Sequence, residues 1–509
     1  MQHDVTVAPG FINPPPTGAN GQRFKALHLA VIPQPAANAG LVVGLDAQVQ
    51  GGAPGGWYQR WTVLDPSTDP PTVLWNDELF LPGIGAGDLF CSGHTWTPDG
   101  RLVVAGGTTK YGPFEGANHV LIYDPTPTGL DPYGTWSLAP PMAKHRWYPT
   151  VTLLGDGTVM VSGGLHVNGF ENTYEVYDPV TNSWQVDPNT GNPWFPGPPV
   201  ASGADFTLYP RMHVLSDGTV VKTGARPQAA RVDHLANPGV WQILAASSVI
   251  RSDGASVLFP VPFGQPDLAV ILGGEDPFTS VVHQSTEFIQ PKQAGATWGT
   301  GPAMNRKRGH LNTVILPDGT LLSIGGEDHV GGVTTYWKDA EWLSGTTWHP
   351  LVAGASVRDY HSTAALLPDG TVLSAGGDNR DWDYQLFYPP YFDLNRPRPA
   401  NVTAPATMGY SGNGAGPYRA TFSALPSGVT LSKVVLMAPA STTHHSDMHQ
   451  RAADLPINSQ TSTSVTFFTP WDACVGPNAL HSCAPPGYYM LFLVTSQGVP
   501  SRAVWVLLQ

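Results

Sequence analysis

Five times along this chain an apolar strand runs into Asp-Gly, a second apolar strand follows, and glycine closes the phrase. The copies read WTPDGRLVVAGG (Asp99 to Gly107), LLGDGTVMVSGG (Asp156 to Gly164), VLSDGTVVKTGA (from Asp217), ILPDGTLLSIGG (Asp318 to Gly326) and LLPDGTVLSAGG (Asp369 to Gly377). In each, the turn glycine stands six residues before the next glycine. The pattern is that of a β-hairpin whose Asp-Gly supplies the positive φ of a tight turn, with later glycines letting the chain leave a crowded strand end.

Several copies are followed by an outer-strand phrase ending in Trp: VLIYDP to Trp136, YEVYDP to Trp184 and STEFI to Trp298. A four-strand unit with Gly-Gly, an aromatic and Trp resembles the kelch repeat of β-propellers, at about 50 residues a unit. A looser copy runs through VIRSDGASVLFPVPFGQPDLAVILGG. The N-terminal LHLAVIPQPAANAGLVVGLDA reads as one more hairpin, whose blade is expected to be completed by strands near residue 385. Five clear copies, one loose and one shared make seven, and sharing a blade between the chain ends closes the ring without a bare edge. Beyond YPPYFDLNRPRPA the pattern changes to alternating strands such as LSKVVLMA and YYMLFLVTS. The expectation is therefore an all-β chain: a seven-bladed kelch-type β-propeller over 1–399, then an immunoglobulin-like β-sandwich over 400–509.

Composition agrees with many short strands and tight turns, since Gly (57) and Pro (51) abound while charged residues are 12%. The formal charge is −13, and no run of Lys or Arg marks a nucleic-acid or anionic-membrane surface, so neither partner is expected. No apolar stretch long enough to span a membrane occurs. The start MQHDVTVAPG lacks the regions of a signal peptide, so the chain is expected to be cytosolic or to be a secreted or cell-surface protein whose signal has been removed. Of three cysteines, Cys474 and Cys483 share a Pro/Gly-rich loop and are expected to form a disulfide, which suits an oxidising compartment. Cys91 is left over.

Propellers gather loops around one axial mouth, so residues just before equivalent hairpins can converge there. That position holds Phe90-Cys91, Trp147-Tyr148, Tyr209-Pro210-Arg211, Gly309-His310 and Tyr360-His361. A thiol, phenols and an imidazole form a redox-capable set, and imidazole with phenolate oxygen suits Cu(II). THHSDMHQR, with His444, His445 and His449, offers a second imidazole. His94, His166 and His310 are further candidates to line the mouth, and Arg211 to orient a substrate oxygen.

The phrases DLFCSG, RWYPT, RDYHS and the His-containing segment before Gln450-Arg451 resemble the copper radical oxidases, the family of galactose oxidase and glyoxal oxidase. The resemblance spans most of the propeller and the C-terminal region, and RWYPT is closer to glyoxal oxidase. It implies one copper ion held by Tyr148, Tyr360, His361 and His444, with His444 favoured over His445 for lying seven residues before Arg451. It further implies a Cys91–Tyr148 thioether whose tyrosyl radical holds one oxidising equivalent while copper holds the other, and an axial Tyr360 that takes the substrate proton. The implied reaction oxidises a glyoxal-type aldehyde, as its hydrate, with O2 going to H2O2 that a peroxidase partner could use. A primary-alcohol or galactose-like oxidase is the alternative, and a non-catalytic kelch binding or structural protein the reading outside enzymes. The family places a Trp eighteen residues after the cross-linked Tyr to shield the radical; here that position is His166, itself a candidate shield, and the smaller, polar-edged imidazole implies a different redox potential, a more exposed radical or shielding by an aromatic from another loop.

Overall fold

In the repeated hairpins the turn geometry follows from three residue types. At Leu154–Thr158 the Gly157 N–H donates to Leu154 O at 3.1 Å, and the Leu154 N–H donates to Thr158 O at 2.8 Å. The Asp156 carboxylate accepts from the Thr158 amide (3.0 Å) and hydroxyl (2.7 Å). The same Asp-to-Thr pairing recurs at Asp217–Thr219, Asp318–Thr320 and Asp369–Thr371. Only the glycine of each Asp-Gly has positive φ, 80° to 92° over the five copies, as in a hairpin loop closed by a left-handed residue.

These hairpins organise a computed structural model that describes residues 10–12, 24, 26–34, 37–46, 49–50, 57–79, 88–110, 112–167, 169–261, 265–378, 383–392, 395–411, 415–470 and 484–509. Among them there is no α-helix, and a short 3-10 turn lies at Val200–Ser202. Seven sheets, each containing a run of four antiparallel strands, have as innermost strands His28–Val31, Asp88–Trp96, Thr150–Leu153, Arg211–Val214, Ala255–Phe259, Asn312–Ile315 and Ser362–Leu366. From the second sheet to the seventh these strands adjoin one another in chain order, and the last adjoins His28–Val31. Apolar side chains fill the spaces between sheets, as where Ile32, Leu45 and Trp61 of the first meet Leu89, Trp96 and Tyr123 of the second.

The first sheet corrects the expected sharing at residue 385. Its hairpin is completed by Trp57–Asp65 and Thr72–Leu79, long strands with their own antiparallel register. Tyr384–Tyr388 instead belongs to the seventh sheet, where the outer edge is Gly10–Ile12, with Gly10 opposite Tyr388 and Ile12 opposite Leu386. The seventh sheet is thus built from two distant segments, Gly10–Ile12 and the strands up to Tyr388. The looser copy differs too: its Asp253-Gly254 precedes Ala255–Phe259 and is not the turn of that hairpin.

The C-terminal region packs a five-stranded sheet against a three-stranded one. In Leu431–Met437 and Gly487–Thr495 alternate residues serve two interfaces. Val434, Leu436, Leu491 and Leu493 fill the core between the two sheets. Val435, Met437, Met490 and Phe492 join a cluster with Leu316, Leu366 and Leu367 of the propeller hairpins. Such strands read as continuous apolar runs because both faces are buried. From this region the hairpin Ser441–Thr443 and Ser446–Asp447 reaches inward, with Ala30 opposite Ser441 and His28 opposite Thr443, and adjoins Asp88–Trp96. Cys474 and Cys483 lie outside the described residues.

Candidate metal centre

Six consecutive sheets present a non-glycine residue in the left-handed region within or just before the innermost strand: Cys91 (φ 64°), Tyr148 (61°), Tyr209 (40°), Asp253 (56°), His310 (53°) and His361 (65°). This conformation costs an L-residue about 1–2 kcal/mol, so the surroundings must impose it. Backbone bonds from sheet to sheet contribute. Tyr148 N–H donates to Cys91 O at 2.9 Å, Tyr209 N–H to Tyr148 O at 2.8 Å, and His310 N–H to Asp253 O at 2.9 Å.

Buried ion pairs hold the approach to three of these positions. Two residues before Tyr148, Arg146 lies fully buried, bonded to Glu175 Oε1 at 3.0 Å and to Gly163 O and Thr173 O at 2.9 Å. Arg251 pairs with Glu287 at 2.7 Å before Asp253, and Arg308 with Glu341 at 3.0 Å before His310. The paired glycines dock on these arginines. Gly107 N–H donates to Arg146 O at 3.0 Å, and a Cβ on Gly106 would lie 2.5 Å from the same oxygen. Glycine is thus required where one sheet meets the next.

At the centre, the Tyr148 and Tyr360 hydroxyls abut directly. The His361 and His444 rings lie 4.5 Å apart, and His444 stands 4.7 Å from the Tyr148 ring and 5.6 Å from that of Tyr360. Cys91 Sγ is 3.5 Å from His444 Nε2, and one donor atom from each of Cys91, His361 and His444 lies within 4.8 Å of the others. The sequence thus brings Cys91, Tyr148, Tyr360, His361 and His444 to one place from the second, third and seventh sheets and the C-terminal hairpin.

Hydrogen bonds fix which nitrogens face inward. Thr443 Oγ1 donates to Leu27 O at 2.8 Å, so at 2.6 Å from His444 Nδ1 it accepts from Nδ1–H, leaving Nε2 with a lone pair. Burial holds His444 well below the usual imidazole range, so it is neutral. His361 gives Nδ1 to Asp378, whose own N–H donates to Tyr360 O, and its Nε2 is buried without a partner. Burial, with the neighbouring Cys91 and Asp378, pushes the Tyr360 phenol above its ordinary range, and burial raises the Cys91 thiol. Two phenol oxygens and two imidazoles, one with an orphaned nitrogen, form a donor set that fits Cu(II), and a bound cation would convert buried phenol to phenolate.

The remaining candidates separate in space. His166 lies on the ribbon Leu165–His166 with Gly169–Phe170, its ring 5.2 Å from that of His145. Of the rings packed on Tyr148, that of Trp147 is 4.2 Å away and edge-on, itself stacked on Phe114 at 4.4 Å, and that of Tyr209 lies at 4.6 Å. Arg211 reaches the cavity, but its guanidinium donates to Gly254 O and Tyr209 O at 3.0 Å. His94 and His449 are tied to Ser441 and Thr95. His310 does line the mouth. Tyr209, which the sequence places at the converging position without giving it a role, donates to Ser92 O at 2.8 Å and meets the His444 ring at 5.1 Å. Sequence reasoning missed Asp378 and Thr443; the one available signal was an Asp directly after a paired glycine. A cavity of about 480 Å³ opens onto Tyr148 and Tyr360, with Trp147, Phe170, Ile250 and Phe278 as apolar walls and Asp253 and His310 as polar ones.

A propeller that gathers a thiol, two phenols and an imidazole at strand entries, with a second imidazole supplied by a C-terminal sandwich, is galactose oxidase-like in architecture. Residues 82–399 match the family model described as glyoxal oxidase N-terminus, and 396–508 that of the galactose oxidase-like, early set domain. The chain belongs to the copper radical oxidase family of galactose oxidase and glyoxal oxidase. It is 26% identical over 488 residues to a galactose oxidase of Gibberella zeae, covering 89% of this chain and 64% of that relative. The chain thus spans less than two thirds of that protein. To a putative aldehyde oxidase of Artemisia annua, Art an 7, it is 27% identical over 494 residues, 85% of this chain and 77% of the relative. Aldehyde oxidase GLOX1 of Arabidopsis thaliana is 26% identical over 483 residues, 84% and 74%. In fold it is similar to a fungal alcohol oxidase solved with copper, at a TM-score of 0.75 and 20% identity, over 96% of this chain and 98% of that one.

Proposed function

We propose that this protein is a copper-dependent oxidase in which Tyr148, Tyr360, His361 and His444 hold one copper ion and Cys91 is joined to the Tyr148 ring by a thioether bond. The observation that carries the reading is the meeting of two phenol oxygens and two imidazoles from three separate segments beside a buried thiol. Bound copper supplies one of the two oxidising equivalents and favours the phenolate forms of its tyrosines. Tyr360 accepts the proton of the substrate hydroxyl, and the cross-linked Tyr148 supplies the second equivalent as a radical. Trp147, packed on Tyr148 and backed by Phe114, shields that radical where His166 does not reach.

The substrate is an aldehyde acting as its hydrate, which presents the CH–OH unit of an alcohol: RCH(OH)2 and O2 give RCOOH and H2O2. A peroxidase is a suitable consumer of that product. The cavity of about 480 Å³ and its aromatic walls support substrates larger than a two-carbon dialdehyde. A primary alcohol with an apolar substituent fits the same space and is the second reading. Peroxide release by the copper-loaded protein, measured on glyoxal, methylglyoxal, an aryl aldehyde, an aryl primary alcohol and galactose, tests both. Turnover of the aldehydes supports the first reading, turnover of the alcohol alone supports the second, and no peroxide from any of them refutes both.

A further inference from the structure

A second group of ligand-type side chains meets on the cavity side of Tyr360. Asp253 and His310 enter from the fifth and sixth sheets and His445 from the C-terminal hairpin, and one donor atom from each lies within 4.8 Å of the others. His445 Nε2 stands 3.6 Å from Asp253 Oδ1. His310 turns Nε2 toward Glu327 Oε1 at 3.5 Å; Glu327 is also 3.5 Å from His329, which lies 3.6 Å from Glu275. A carboxylate behind an imidazole is how metal-bound histidines are commonly held, and it leaves His310 Nδ1, buried and without a partner, with a lone pair to give. His445 is 5% exposed, and its Nδ1 also lacks a partner. Nothing in the oxidase reading uses this group: His445 adjoins a proposed copper ligand in sequence yet faces Asp253.

We propose that Asp253, His310 and His445 form a second metal site, for a divalent cation of the zinc class. Two imidazoles and one carboxylate are a zinc-type donor set that leaves the fourth position open. With metal–ligand bonds of about 2.0–2.2 Å, ligand atoms sit roughly 3.5 Å apart, so the donors must draw together by about an ångström. The Asp253 side chain, 42% exposed, has the freedom to do this. Asp253 and His310 line the cavity, and the His310 ring is 4.7 Å from that of Tyr360, so the open position faces the space a substrate would fill. Zinc is therefore expected to compete with substrate. That consequence rests on the oxidase reading; the binding does not.

The test titrates Zn2+ into the full-length, copper-loaded protein by calorimetry and counts both metals after desalting. The expected result is one zinc per chain with the copper retained, and zinc binding at least about tenfold weaker in both Asp253→Asn and His310→Gln, with copper content unchanged in each. No zinc uptake, zinc that replaces copper one for one, or equal zinc affinity in parent and variants would each overturn the site. The copper reading fails separately, by the absence of copper binding or of the Cys91–Tyr148 link, whatever zinc does.

Discussion

His444 can act as a ligand only because of groups that never touch the metal. Thr443 takes its Nδ1–H and Leu27 takes the threonine proton, so Nε2 is the free nitrogen. Replacing Thr443 by Val removes this acceptor, and copper affinity is expected to fall about 10–100-fold, as for other outer partners of metal-bound histidines. Competition with a chelator of known affinity measures it; unchanged affinity would show that the tautomer is fixed by other means. Trp147→Ala removes an aromatic contact on Tyr148 worth about 0.5–1.5 kcal/mol. The optical signal of the oxidised form is expected to decay roughly two- to tenfold faster, whereas His166→Ala leaves it unchanged. At this scale Cys91, Tyr148, Tyr360, His361 and His444 were legible because each sits in a short distinctive phrase. Trp147 stood inside RWYPT, but counting along the sequence led to His166, whose ring lies against that of His145. Asp253 was hidden because Asp-Gly is also the signature of a hairpin turn.

Individual strands carry charge where their patterns read as plain sheet. Glu175 is fully buried, accepts the Ala143 and Lys144 amides and pairs with Arg146, so Glu175→Ala leaves a buried cation uncompensated. A loss of about 3–5 kcal/mol in denaturant unfolding is expected. In YEVYDP this residue looks like an ordinary outward strand position, and no local pattern distinguishes a carboxylate that serves the next sheet entry. Lys222, on Val220–Gly224, is fully buried, donates to Gln228 O at 3.0 Å, and is pushed down to about 7 by burial. Its unfolded value is about 10.4, so the unfolded chain holds the extra proton between those values and stability rises with pH across that window. Lys222→Met removes the rise. The variant is expected to be more stable than the parent by about 1–3 kcal/mol at pH 6, with the gain shrinking toward pH 10. Equal shifts in the denaturation midpoint at both pH values would contradict this. The Asp-Gly-Thr hairpins and their glycines were legible outright, since each residue type has one local task.

At the scale of the whole molecule, segments far apart in the chain complete the propeller sheets. Gly10–Ile12 closes the seventh sheet, and the hairpin at 441–447 brings His444 beside Cys91. The sequence indicated a ring and a sandwich but misassigned the closing strand, because 57–79 carries no Asp-Gly phrase and which strands pair across several hundred residues leaves no local mark. The proposed copper centre depends on Cys91 and Tyr148 becoming one side-chain radical cofactor. Mass spectrometry of the Cys91 and Tyr148 peptides, after aerobic Cu(II) loading and disulfide reduction, tests it most directly. One linked species lighter by two hydrogens than the separate peptides combined is expected; copper bound stoichiometrically with the two peptides still separate would rule the cofactor out.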